Sequence, residues 1–324
     1  MQYFKNNSIG RSDLVNFALL GAEKYKANKD IEDTKRSKAK KSGSILHRLV
    51  FEGDTFDDYY AVGNFNVPEG KVTDFVKLKS ELIVGQKIPI EEAEKIAYEQ
   101  CNFSWPLKTV ITKSQESIYK EYYEHLLATA GREIVSAKEY AIAKKELESL
   151  QKDVEICELL FKNNDTITLD SVEVPIYVNE FEYYYILKGN GWELPAKIKI
   201  DRYIHDTKTD TITLIDLKTT DDIKNFKYSY KKYKYYLQMA WYKLGLLDYL
   251  FNTYYGSYKI NTKLIVVDSN YPHPTQIFDV HEKDIEAGTS ELMGYAEELA
   301  WHITNDIWVD KDKHLKITKT LNIF

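Results

Sequence analysis

The sequence predicts an α/β fold: a central mixed or antiparallel sheet flanked by helices, with a mainly helical N-terminal half. Three observations predict it. Residues 12–27 and 114–161 repeat apolar side chains at three- and four-residue spacing, the period of a helix packed on one face. From about residue 163 the period becomes two, in "TITLDSVEVPIYVNEFEYYYILKGNGWELPAKIKIDRYI", a stretch rich in Val, Ile, Thr and Tyr. Charged residues also stand inside these otherwise apolar strands. No Pro-rich or Gly/Ser-rich linker divides the chain, so residues 1–324 read as one domain, mainly helical over residues 1–162 and sheet-containing over residues 163–324.

Taken in order, "SDLVNFALLGAEKYKA" at 12–27 is a serine-capped helix. The basic run from Lys35 to Lys41 stops at Ser42-Gly43-Ser44, where a second helix is expected to start and turn Ile45, Leu46, Leu49 and Val50 inward, with His47 in its first turns. Residues 57–110 show scattered Gly and Pro and a short helical stretch near 90–100, without clear organisation. Ser114 to Phe161 is helical in two segments broken near Gly131, the second capped by Ser136. The turns "GNG" at 189–191 and "HDTKTD" at 205–210 separate strands near 180–188, 194–204 and 211–218, an antiparallel meander. One long helix, roughly Tyr230 to Tyr249, follows; then strands "TKLIVVD" and "TQIFDVH" and a helix over 283–304.

Composition bounds the function. At 324 residues with 44% hydrophobic and 29% charged residues, the chain can bury a full core without staples. Two cysteines, Cys101 and Cys157, are too few and too far apart for an iron–sulfur cluster and fit a reducing compartment. The N-terminus has no signal-peptide layout and no apolar run is long enough to span a membrane, so a cytoplasmic protein without a membrane partner is expected. With 44 basic against 50 acidic residues, a nucleic-acid binder would have to concentrate its positive charge locally.

The charges in the strands raise the chemical question. In "KIKIDRYIHDTKTDTITLIDLKTT", Asp216 and Lys218 share one face of a strand while Leu217 takes the other. Asp201 lies on the preceding strand of the same hairpin, so the two carboxylates are expected near each other at one sheet edge. Carboxylates that close repel unless a divalent cation sits between them, and oxygen donors suit hard Mg²⁺ or Mn²⁺. The plain alternative pairs Asp201 with Arg202 or Lys218 as a cross-strand salt bridge and leaves Asp216 facing solvent.

An Asp ending one strand and an Asp-x-Lys on the next resembles the PD-(D/E)xK nuclease superfamily, with "KIKID" in place of Pro-Asp and "IDLKT" as the second element. "GSILH" at 43–47 resembles the upstream helix motif of the RecB-like and exonuclease VIII-like branches, "QMAWY" at 238–242 their Q-x-x-x-Y motif, and "RSDL" at 11–14 the Ser-x-Leu opening of the phage and prophage proteins. The resemblance implies a restriction-endonuclease-like sheet flanked by helices and Mg²⁺-dependent hydrolysis of DNA. Carried over by residue, it makes Asp201 and Asp216 metal ligands, Leu217 a carbonyl ligand, His47 a further ligand and Lys218 the water-positioning group. It counts Gln238 and Tyr242 among the catalytic residues with Asp201, Asp216 and Lys218. A glutamate on an earlier strand is also implied, for which Glu182 is taken and Glu180 competes. The branch implies 5′ to 3′ resection of linear duplex ends, a single-strand annealing protein as partner, a role in phage-type recombination, and a homo-oligomeric ring. Restriction or junction-resolving endonuclease activity, and a non-catalytic DNA-binding module, are the alternatives.

The supporting residues have plainer readings too. His47 on an apolar helix face can be a core histidine, and Gln238 with Tyr242 an ordinary hydrogen bond one turn apart. The basic run Lys35, Arg36, Lys38, Lys40, Lys41 can grip phosphates or be a solvated charge run. Lys231, Lys232 and Lys234, interleaved with tyrosines in "FKYSYKKYKYY", can track a nucleic-acid backbone or form the solvated face of a helix. No P-loop, His-Glu-x-x-His or Gly-x-Ser-x-Gly is present, which argues against ATP-driven unwinding, zincin chemistry and the serine-hydrolase elbow.

Overall fold

The computed structural model describes residues 7–28, 38–63, 67–129, 132–163, 166–169, 172–206, 208–253 and 258–309. Contacts divide the chain into two compact units, residues 1–43 with 146–324, and residues 44–145. These units differ from the mainly helical and sheet-containing parts of the chain: residues 1–43 group with the sheet, and residues 44–145 are inserted between them in sequence.

Helices α1 (Arg11–Leu20) and α2 (Ala22–Asn28) open the described chain. The cap of α1 is Gly10, whose N–H donates to Asp13 Oδ2 at 2.8 Å, and Leu14 and Phe17 are buried. Just before it, Ile9 bridges to Ala196 of the sheet. Helix α3 (Lys38–Phe51) is continuous through the Ser-Gly-Ser where a helix start was expected. Gly43 lies within this helix, where an added Cβ would stand 3.4 Å from Thr219 Oγ1.

The inserted unit carries α4 (Phe56–Tyr59), β1 (Tyr60–Gly63), α5 (Lys71–Gln86), α6 (Ile90–Cys101), α7 (Leu107–Ser114), α8 (Ser117–Ala128), β2 (Glu133–Ser136) and the first turns of α9 (Ala137–Lys152). Its core is Phe75, Val76, Ala93, Ala97, Val110, Tyr122 and Leu126, drawn from α5–α8. Helices α6 and α7 start directly after Pro89 and Pro106, where proline's fixed φ suits a helix entrance. Strand β2, paired in parallel with β1, lies between α8 and α9, at the break expected near Gly131. The cap at Ser136 is present: its hydroxyl accepts from Glu139 N–H, and Glu139 reaches back to Ser136 N–H at 3.0 Å.

The first unit resumes with the end of α9, then α10 (Val154–Leu160), capped by Asp153, and a small hairpin of β3 (Thr166–Leu169) and β4 (Val172–Pro175). The main sheet has the order β5 (Tyr177–Gly189), β6 (Trp192–Asp206), β7 (Thr211–Thr220), β8 (Lys259–Asp268), β9 (Thr275–Asp279). The first three strands form the expected antiparallel meander; β8 is parallel to β7, which requires a crossover, and β9 is antiparallel again. The crossover contains α11 (Phe226–Lys232) and α12 (Tyr235–Thr253), so the single helix expected over 230–249 is two, broken where Lys234 takes φ +50°. Ile198, Ile200, Ile212, Leu214, Leu264 and Val266 of the sheet pack with Leu237, Trp241 and Leu246 of α12 and Leu292, Ala296 and Leu299 of α13 (Glu282–Asn305) in one buried cluster. Helix α12 sits so close to β6 that a Cβ on Gly245 would come within 2.7 Å of Ile198 Cγ2.

Candidate active site

Strands β6 and β7 pair in register from Asp206–Thr211 to Arg202–Ile215 and then part. The next rung would join Asp201 to Asp216. In its place the Leu217 N–H donates to Asp201 Oδ2 at 3.0 Å, a side chain standing in for the missing strand partner. A residue's N–H and C=O leave a strand on the same side, so the Leu217 carbonyl also faces the opening. The sheet-edge position expected from the sequence is therefore corrected: β6 and β7 are internal strands, and the carboxylates sit in a fork between them.

Strand β5 contributes a distortion at the same level. Glu180 has φ +52°, a left-handed conformation costly for a residue with a Cβ. Asn179 pairs with Arg202 and Phe181 with Ile200, while the Glu180–Asp201 rung between them is skipped. The faces switch there: Ile198, Ile200 and Tyr203 share one core although strict alternation would separate Tyr203 from the isoleucines. The result brings a carboxylate oxygen of Glu180 within 4.8 Å of one of Asp201. Lys199 Nζ bridges Glu180 at 2.9 Å and Glu182 at 3.0 Å. Burial pulls the Lys199 pKa down, but the two glutamates outweigh it and the net shift is upward.

Asp216 is fully buried, 0% exposed, which the solvent-facing alternative does not fit. Its Oδ2 lies 2.5 Å from Lys218 Nζ, and its Oδ1 accepts from Gln238 Nε2 at 2.9 Å. Gln238 Nε2 also donates to Tyr242 Oη at 2.7 Å, so the two residues one turn apart on α12 act together in holding Asp216. Burial lowers the Lys218 pKa, but Asp216 and Asp201 more than offset it; the net shift is upward, keeping the side chain an ammonium at neutral pH. Its Nζ stands 5.1 Å from the centre of the Tyr235 ring. Arg202, the other partner offered to Asp201 by the plain alternative, donates instead to Asn163, Asn179 and the Lys162 carbonyl. Glu180 and Asp201 thus bring carboxylate oxygens within 4.8 Å of each other, one rung from Asp216, whose own oxygens face Lys218 and Gln238; two hard-oxygen donors this close fit a divalent cation.

A family described as "PDDEXK-like domain of unknown function (DUF3799)" matches residues 12–313. The chain belongs to this family. Its fold and the nuclease superfamily that the motifs resemble therefore agree. Among curated proteins, none matches the chain. Two solved structures are similar at low scores: a candidate exonuclease from Eubacterium rectale, with 14% identity, TM-score 0.39, and 78% of this chain and 92% of that one covered, and SSO0001, with 12% identity, TM-score 0.22, and 77% and 84% covered.

Within this PDDEXK-like domain, one residue near the site carried no signal beyond its place in "RSDL". Arg11, at the start of α1, donates through Nη2 to the carbonyls of Tyr233 at 2.7 Å and Lys234 at 3.0 Å. It thereby ties the N-terminal helix to the break between α11 and α12. Burial lowers its pKa, opposed by the charges of Tyr242, Asp216 and Tyr235.

The remaining expected residues divide. Lys231 and Lys232 are exposed on α11. Lys234 is held by Glu291 at 2.6 Å, so its charge is already matched. Lys35 and Arg36 lie outside the described residues, as do the side chains of Lys38, Lys40 and Lys41, whose backbone opens α3. His47 is half-buried on α3, one turn beyond Gly43, its ring 4.8 Å from that of Phe51. Among the described residues, no helix is long and apolar enough to cross a membrane.

Proposed function

We propose that this PDDEXK-like domain is a metal-dependent deoxyribonuclease, and that it acts as an exonuclease on linear duplex DNA ends. The observation that carries the reading is the fork: where two internal strands part, Asp201 accepts from the Leu217 N–H and has a carboxylate oxygen within 4.8 Å of one of Glu180, and on the facing strand Lys218 lies against Asp216. Mg²⁺ or Mn²⁺ would be held by Asp201 and Asp216 with the Leu217 carbonyl and Glu180, and by His47 on the strength of its Gly-Ser-x-x-His motif. Such an ion supplies an acidified water and neutralises phosphate charge. The chain's own residues do the rest. Lys218, an ammonium, donates toward the water or the phosphoryl oxygens as one P–O bond forms and another breaks. Gln238 and Tyr242 fix Asp216 and through it Lys218, so that little reorganisation accompanies the reaction. Glu182, bonded to Lys199, steadies the Lys199–Glu180 contact rather than facing Asp201.

The resemblance supports 5′ to 3′ polarity, a ring-shaped homo-oligomer, a single-strand annealing partner, phage-type recombination and a cytoplasmic setting. Digestion of 5′- and 3′-end-labelled linear duplex with Mg²⁺ tests activity and polarity together. Closed circular DNA as the control separates this reading from a restriction or junction-resolving endonuclease, which would nick it. Lys218→Ala should abolish cleavage while DNA binding persists; equal cleavage by parent and variant rules out the assigned role of Lys218.

A further inference from the structure

Helix α11 and the break after it present a run of rings that leads outward from the fork. The Tyr235 ring lies under Lys218 Nζ and stacks on Phe226 with centroids 5.8 Å apart and planes 19° apart. Tyr233 follows, its centroid 5.8 Å from that of Tyr235. Tyr233 is 50% exposed and Tyr228, one helical turn ahead of Lys232, is 63% exposed. Lysines flank both: Lys232 Nζ is 5.2 Å from the Tyr233 ring and Lys227 Nζ 5.1 Å from the Tyr228 ring. Lys227, Lys231 and Lys232 are exposed, and none of them makes an ion pair among the described residues. Arg11 holds the backbone carbonyls of Tyr233 and Lys234, so the backbone that carries the outer ring is tied to the N-terminal helix.

We propose that Tyr233, one ring removed from Lys218, is a stacking platform for an unpaired base, and that the substrate this site prefers is a strand end carrying single-stranded nucleotides. This rests on the nucleic-acid reading of the fork. Exposed aromatic rings interleaved with unpaired ammonium groups match a single strand, which offers free base faces and a continuous line of phosphates; a duplex keeps its base faces covered. A protein partner would find three uncompensated lysines in the patch. The ordered ring at Tyr235 acts differently, as a positioning residue for Lys218.

The test uses the full chain in EDTA, so that binding is read without cleavage. Two duplexes are compared, one blunt and one with a three-nucleotide overhang carrying the fluorescent base 2-aminopurine. The parent should bind the overhang more tightly and quench its emission. Tyr233→Ala should weaken overhang binding on the order of tenfold, abolish the quench and leave blunt-duplex binding unchanged, while Tyr233→Phe should behave as the parent does. Equal affinity of parent and Tyr233→Ala for the overhang overturns the proposal. So does an equal loss on both duplexes, or a phenylalanine variant as weak as the alanine one. Cleavage in Mg²⁺ is measured separately. Quenching without cleavage would remove the nuclease reading and leave the platform standing, and cleavage with no effect of Tyr233→Ala would do the reverse.

Discussion

Glu146 should make the stability of the sheet-bearing unit fall as the solution is made more alkaline. The side chain is 0% exposed. Burial pushes its pKa from 4.5 up to about 7; the Ser269 hydroxyl pulls it back somewhat and the Asp268 carboxylate adds to the rise. Between those two values the folded chain holds a proton that the unfolded chain has released, so stability is fully present below pH 4.5 and is lost as pH rises through about 7. At 1.36 kcal/mol per pKa unit, the loss amounts to about 3 kcal/mol, most of it between pH 5 and 8. The strand ends concerned are those of β7 and β8, since Ser269 N–H donates to the Thr220 carbonyl at 2.7 Å, two residues beyond Lys218. Urea unfolding of the parent and Glu146→Gln at pH 5 and pH 8 measures this directly. The variant should match the parent at pH 5 and exceed it by about 2–3 kcal/mol at pH 8. Parallel pH dependences in the two proteins would refute the argument, because they would show that Glu146 titrates alike folded and unfolded.

Other residues give sharper local tests. Gln238→Leu removes a donor to both Asp216 and Tyr242 and should lower kcat about 10- to 100-fold with little change in the thermal midpoint, read by end-labelled digestion and calorimetry. Glu180→Gln should weaken Mn²⁺ binding by about tenfold or more in a calorimetric titration, whereas Glu182→Gln should leave it nearly unchanged. Gly245→Ala drives a methyl into Ile198 and should cost about 1–3 kcal/mol of stability, seen as an earlier urea midpoint.

The sheet was legible because its strands are rich in Val, Ile, Thr and Tyr and its hairpins carry Gly and Asp turns. The meander from Tyr177 to Thr220 has the three strands expected near 180–188, 194–204 and 211–218, with most ends a few residues longer. Asp201, Asp216 and Lys218 were legible for a related reason, since charges on strands buried on both sides need a common explanation. The choice between Glu180 and Glu182 was not, because alternation fails where Glu180 takes a left-handed backbone, and no sequence rule assigns that conformation to a glutamate. The start of α3 was misread because Ser-Gly-Ser looks like a cap, whereas Gly43 lies against Thr219 inside the helix. Lys234, with a positive φ, divides a stretch whose apolar spacing continues on both sides. The organisation of residues 57–110 was hidden because only α5 carries a long buried face, while α6 and α7, which share its core, bury two side chains each. Arg11 works through carbonyls more than two hundred positions away, which local pattern cannot show.

On the proposed reading, the fork between β6 and β7 holds a hard divalent cation. Crystals of the parent protein soaked in Mn²⁺ and measured for anomalous scattering decide it. The expected result is a peak bonded to carboxylate oxygens of Asp201 and Asp216 and to the Leu217 carbonyl. A fork without such a peak at saturating Mn²⁺, or manganese bound only elsewhere, would contradict it.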